Sequence, residues 1–167
     1  KCCASLSQLS NFNQLRIVVV DNGSTEHSFE ELVAACPNAE VISSQENLGF
    51  AGGNGFGFKY IQEQGYEYDA IWLLNNDTEC DINALEALLA ALYADENCGV
   101  AGCDMLQSAG AMAGKVVSGG QLLGFPLYTP FLPKPGAHYD YLCGASLLIR
   151  KEVIEQVGLL DTDFFFF

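Results

Sequence analysis

Asp21 and Asp77 are the carboxylates best placed to do chemistry, because each stands in a polar turn directly after an apolar run. Leu15-Arg16-Ile17-Val18-Val19-Val20 ends at Asp21-Asn22-Gly23-Ser24, and Ala70-Ile71-Trp72-Leu73-Leu74 ends at Asn75-Asn76-Asp77-Thr78. A carboxylate at a strand's end can accept hydrogen bonds from a nucleobase or ribose, and Asn22-Gly23 supplies a tight turn. Asp77 offers a hard oxygen ligand, and Mg²⁺ or Mn²⁺ takes one or two carboxylates alongside substrate phosphates. The plainer alternative for both acids is an Asx turn or a helix cap.

A third segment, Asn47-Leu48-Gly49-Phe50-Ala51-Gly52-Gly53-Asn54-Gly55-Phe56-Gly57, packs six small residues into nine positions. Glycines are costly to order. A glycine-rich loop ahead of a helix lets the backbone approach a ligand and aims N–H groups at an anion. No Gly-Lys-Ser/Thr follows, so it is not a Walker loop, and the short polar strand before it does not suit the dinucleotide fingerprint. A flexible turn packed against the sheet is the alternative reading.

The elements that must position these turns alternate. A helix is expected around residues 5–13 and a strand at about 15–21. Ser28-Phe29-Glu30-Glu31 has capping-box spacing for a helix running to Cys36. Glu40 to Ser43 reads as a strand, Gly55 to Gln64 as a helix and 70–74 as a strand. Asp81 caps a helix whose Ile82, Leu85, Leu88, Leu89 and Leu92 form one apolar stripe. Gly99 to Leu106 reads as a strand, 107–137 as an irregular loop, Tyr141 to Ile149 as a strand and Lys151 to Val157 as a helix. Short β-rich runs without alternation suit strands buried on both faces. The order predicts one α/β domain over 1–167, its mainly parallel sheet flanked by helices, with ligands outside the carboxyl ends of the strands. Asp21 and Asp77 would then face one pocket.

Composition narrows the partners. The chain has 167 residues, half of them hydrophobic, and a formal net charge of −14. Only seven Lys and Arg are present, which excludes a phosphate-backbone partner such as nucleic acid. A phosphorylated ligand would need a bridging cation. The seven cysteines lack C-x-x-C spacing and read as small buried hydrophobes in a reducing compartment, neither a zinc site nor a disulfide framework. No apolar stretch reaches the ~18–20 residues of a membrane span, and there is no secretory leader. The run Phe164 to Phe167 and the lack of an opening Met read as truncated ends.

Taken in order, the segments V-V-V-D-N-G-S-T (18–25), N-L-G-F-A-G-G-N (47–54), W-L-L-N-N-D-T (72–78), Y-L-C-G-A-S-L-L-I-R-K (141–151) and V-G-L-L-D-T-D-F-F-F-F (157–167) resemble the inverting nucleotide-sugar glycosyltransferases of family 2. The rhamnosyltransferase-like branch is the nearest in pattern. The resemblance implies a GT-A-type, nucleotide-diphospho-sugar transferase fold. It implies donor-binding roles for Asp21, Asn22, Gly23 and Ser24, for Asn47, Gly49, Gly53 and Asn54, for Asn75, Asn76 and Asp77, and for Gly144 and Ala145. Asp77, the last acid of a D-x-D-type motif, would carry a divalent cation, Mn or Mg. Asp161 matches an acid before the aromatic run.

Two departures accompany the likeness. The family's opening strand, which lies inside the sheet, would precede Lys1. The Glu-Asp pair that carries the catalytic base would follow Phe167, which leaves the base unassigned within this chain. The expected activity is transfer of a sugar, rhamnose from a dTDP donor as a guess, to a glycan or lipid-linked acceptor hydroxyl. A cytoplasmic place, at most peripheral to the membrane, follows from the same kinship. Two alternatives stay open: a sugar-nucleotide nucleotidyltransferase and a non-catalytic α/β nucleotide-binding fragment.

Overall fold

The computed structural model describes residues 1–25, 29–117, 119–122, 128–131 and 139–165. The chain begins with α1 (Cys2–Leu6), and a 3₁₀ turn at Phe12–Gln14 leads into β1 (Val18–Asn22). Next come α2 (Phe29–Ala35), β2 (Glu40–Ser44), α3 (Gly49–Glu63), β3 (Ala70–Leu74) and α4 (Ala84–Tyr93). Short strands follow: β4 (Val100–Gly102), β5 (Met105–Leu106), β6 (Val116–Val117), β7 (Gly119–Leu122), β8 (Tyr128–Phe131) and β9 (Tyr141–Leu142). β10 (Ser146–Arg150) and α5 (Lys151–Val157) complete the order.

Alternation along β3 divides the core into two faces. Trp72 and Leu74 pack with Cys2, Leu6 and Leu9 and with Leu85 of α4. Leu88 and Leu92 extend that layer onto Ala101 of β4 and Leu148 of β10. Leu73 and Ile71 face the other way, with Ile149 and with Ile154 of α5, and Phe58 of α3 joins them. Helices therefore cover both faces of the β3–β10–β4 sheet, the layered α/β arrangement that lets each strand bury apolar area on both sides.

Several sequence expectations are corrected. The sheet is not mainly parallel: β1 and β2 pair in parallel, but β10 runs antiparallel between β3 and β4. A run such as Leu147-Leu148-Ile149 carries no mark of direction, because a strand covered on both faces reads alike either way. β1 pairs only with β2 and β3 only with β10, so no ladder joins β1 to β3 among the described residues. Val18, Val19 and Val20 are half-buried instead of enclosed on both faces. The stretch read as irregular, 107–137, holds β6, β7 and β8, which pair antiparallel: β6 with β5, and β7 with β8 and β9; residues 118, 123–127 and 132–137 of it, Ser28 of the capping box, and Phe166 and Phe167 lie outside the described residues. The Gly99–Leu106 and Tyr141–Ile149 runs each break into two strands.

The helices differ too. The first is shorter and earlier than expected, at Cys2–Leu6. The α4 stripe lacks Ile82, which precedes the helix and is 54% exposed. Asp81 makes an Asx turn there, accepting the Asn83 N–H at 2.9 Å. The glycine-rich segment is no loop at all, since α3 starts at Gly49. Finally, the cysteines are not all unpaired: Cys3 and Cys36 form a disulfide with Cα atoms 5.6 Å apart. A pair 33 residues apart in sequence has no spacing signature, so only the folded chain reveals it. Burial pushes the Cys80 thiol up to about 11 and raises that of Cys103, so these two stay protonated and pack as small apolar groups.

Candidate functional site

Asp21 sits at the end of β1, buried, with both carboxylate oxygens engaged. Oδ1 accepts the Ser24 N–H at 3.0 Å and Oδ2 accepts the Ser43 hydroxyl at 3.1 Å. The Ser24 side chain and N–H, then Ser43, hold the carboxyl below its ordinary range against the opposing effect of burial, because hydrogen bonds to the charged form favour it. Gly23 turns the chain with φ +73°, and a Cβ there would lie 2.5 Å from the Glu46 carbonyl carbon. A glycine meets both demands, positive φ and close backbone approach.

Asn22 ties that turn to the start of α3. Its Nδ2 donates to the Asn47 Oδ1 (3.2 Å) and the Gly49 carbonyl (3.0 Å), while its Oδ1 accepts the Leu48 N–H at 2.9 Å and the Ser44 hydroxyl at 3.4 Å. Asn47 in turn accepts the Gly49 N–H at 2.9 Å, and the Phe50 N–H donates to the Phe165 carbonyl at 2.7 Å. Leu48, Gly49 and Phe50 thus have their N–H groups satisfied inside the chain, and the expectation of free N–H groups fails at these three. Asn54 bonds back to the Phe50 carbonyl within α3. The small residues serve close packing: a Cβ on Gly53 would stand 2.9 Å from Asn22 Nδ2, and one on Gly57 2.9 Å from Val20. Gly49, Gly53 and Gly57 recur every fourth residue, one face of a helix, and that spacing was the signal available in the sequence.

The second turn is held from three sides. The Asn75 N–H donates to the Ala145 carbonyl at 3.0 Å, so the Cys143–Ala145 corner before β10 lies beside it. The Asn75 carbonyl accepts the Thr78 hydroxyl at 2.7 Å, and Thr78 is buried. From α1, the Cys2 thiol donates to the same carbonyl at 3.6 Å, and the Ser5 hydroxyl accepts the Cys80 N–H at 3.0 Å. Asn76 and Asp77 are left exposed at the tip. Trp72 anchors the strand beneath by donating from Nε1 to the buried Ser146 hydroxyl at 2.9 Å.

A continuous path of contacts joins the two turns. It runs from Asn22 to Gly49, then to Phe50, whose ring lies 3.6 Å from where a Gly144 Cβ would be, and through Ala145 to Asn75. Asp161 is exposed, its side chain accepting the Asp163 N–H at 3.0 Å. Sequence reasoning missed Ser43, Ser44, Cys2, Ser5, Thr78, Ser146 and Phe165. All act through other residues, and nothing in residue type marks such partners. The hollow lined by Glu67, Tyr68, Asp69, Lys151, Glu152 and Glu155 lies at the other end of β3.

Among the described residues no group of three His, Cys, Asp or Glu side chains could cage a metal ion. The exposed Asp77 suits a cation held by one carboxylate with the rest of its shell from phosphates and water, as Mg²⁺ commonly is.

The frame is that of a layered α/β protein whose polar turns gather at one end of its central strands. Residues 1–158 match the model of glycosyl transferase family 2, and the chain belongs to that family, a glycosyltransferase with the GT-A nucleotide-sugar transferase fold. Comparison with curated proteins finds no match. Among the described residues no helix is long and apolar enough to cross a membrane.

Proposed function

We propose that this chain is the donor-binding domain of an inverting glycosyltransferase that moves a sugar from a nucleoside diphosphate to an acceptor hydroxyl in glycan or polysaccharide synthesis. The observation that carries the reading is the contact path from Asn22 through Gly49, Phe50, Gly144 and Ala145 to Asn75, since it brings the separate sequence motifs to one place. In this reading Asp21 serves the nucleobase or ribose, Asn47, Gly49, Gly53 and Asn54 shape the run beside the donor, and Gly144 and Ala145 border the sugar. dTDP-rhamnose is the donor suggested by the motif pattern, and a cytoplasmic place, peripheral at most, accompanies it.

Transfer breaks the bond between the anomeric carbon and the diphosphate oxygen as the acceptor oxygen attacks from the opposite face. The acceptor proton leaves to a general base. Asp77 would hold the divalent cation, with Asn75 and Asn76 beside it. That ion, Mn²⁺ or Mg²⁺, supplies positive charge to the departing diphosphate, which suits a protein of net charge −14. Calorimetric titration with UDP- and dTDP-sugars tests the reading: saturable binding that requires Mn²⁺ is expected, and no binding of any nucleotide sugar with the ion present refutes it.

A further inference from the structure

The disulfide joins α1, one of the elements that hold the second turn, to the residue that follows α2. Cys3 lies in α1, whose Cys2 and Ser5 hold the Asn75–Cys80 turn. Cys36 follows α2, the helix that comes after the Asp21 turn in the chain. α2 buries none of its own residues, while Cys36 is 5% exposed. Besides the packing of α2 on β2, the sulfur bond ties the end of that helix to α1, and Cys3, only half-buried, is the end a small thiol can reach.

We propose that Cys3 and Cys36 form a reversible thiol–disulfide exchange site whose redox state sets how firmly the end of α2 is held against α1. A low-molecular-weight thiolate attacks the Cys3 sulfur, the S–S bond breaks, and Cys36 leaves as the thiolate and takes a proton. A second thiolate attacks the mixed disulfide at the small molecule's sulfur and releases Cys3 as a thiolate, which also takes a proton. The protein gains two electrons and two protons, and two small thiols become one small disulfide. Oxidation reverses both steps. In a reducing compartment the pair is open and closes when the thiol pool is oxidised. The consequence for donor binding rests on the glycosyl-transfer reading; the exchange site does not.

The test equilibrates the whole chain over a series of glutathione to glutathione-disulfide ratios, traps free thiols by alkylation, and reads the Cys3–Cys36 peptide by mass. Thermal unfolding and amide exchange in 21–25, 29–36 and 75–80 are followed on the same samples. The expected result is a reversible transition within the series, with the oxidised form melting about 5–10 °C higher, given a closed loop of this length, and exchanging more slowly in 29–36. Cys3→Ser, at the half-exposed end, should match reduced wild type in melting and exchange and lose the ratio dependence. A pair that never closes, a pair that no ratio reopens, or a reduced form with unchanged melting and exchange would each overturn the proposal. No donor is present, so a failure to bind nucleotide sugars bears on the glycosyl-transfer reading alone.

Discussion

At the residue scale, Asn22 shows how a motif position works through geometry. Both ends of its amide are taken up by Ser44, Asn47, Leu48 and Gly49, so its part is to fix the start of α3 against β1. Asn22→Ala removes these hydrogen bonds and leaves the Leu48 N–H and Gly49 carbonyl without that partner. Each such loss costs on the order of 1 kcal/mol, so the variant should lose about 2 kcal/mol in denaturant unfolding and weaken nucleotide-sugar binding. The amide of Leu48 should exchange faster in hydrogen-exchange measurements. The acids were legible because a carboxylate after an apolar run stands out at a strand's end. Ser43 and Phe165 were not, because a hydroxyl or a backbone carbonyl gains its role only from what folding brings beside it.

At the element scale, α3 is pinned at both ends. Asn22 holds its start, and near its end Tyr60 and Tyr66 both donate to Glu40 Oε2 at 2.9 Å, with Arg16 on Oε1 at 3.1 Å. Arg16 also lies 3.8 Å over the Tyr66 ring. The Tyr60 hydroxyl first, then Tyr66 and Arg16, depress the Glu40 carboxyl below its ordinary value, and Tyr60 is pushed up to about 12. A carboxyl depressed in the folded state contributes stability that is present above its unfolded value, 4.5, and lost as pH falls through the lower folded one. Glu40→Gln should therefore lower stability at pH 7 by about 1 kcal/mol, discounted for partial exposure. Its difference from wild type should shrink in urea unfolding between pH 5 and about pH 3 (an expected window set by carboxylate titration). The strand at 70–74 was readable from an apolar run bounded by polar turns, and the short polar strand β2 was read one residue short, at 40–43. The start of α3 was not, because glycines argue against a helix by propensity while the close approach to Val20 and Asn22 demands them.

At the scale of the whole molecule, a net charge of −14 acts as self-repulsion that salt relieves. Melting should rise by a few degrees between about 10 and 200 mM NaCl, more than the screened surface pairs Lys59–Glu63 and Lys151–Glu155 would take away. A melting temperature that falls over that range would contradict this. The layered α/β class was legible, since strand and helix signals alternate. The direction of β10 was not, because Leu147-Leu148-Ile149 reads the same in either sense. The pairing of Cys3 with Cys36 stayed hidden for the related reason that it is a product of packing.

The central claim is that Asp77, exposed beside Asn76 at the tip of its turn, brings a cation to a nucleoside diphosphate. The most direct measurement is calorimetry of UDP and dTDP binding with and without Mn²⁺, in wild type and in Asp77→Asn, a near-isosteric change at an exposed position. The account predicts Mn²⁺-dependent binding in wild type, weakened at least ~30-fold (about 2 kcal/mol) in the variant, with thermal melting of the ligand-free protein unchanged. Equal Mn²⁺-dependent affinity in both proteins would contradict it.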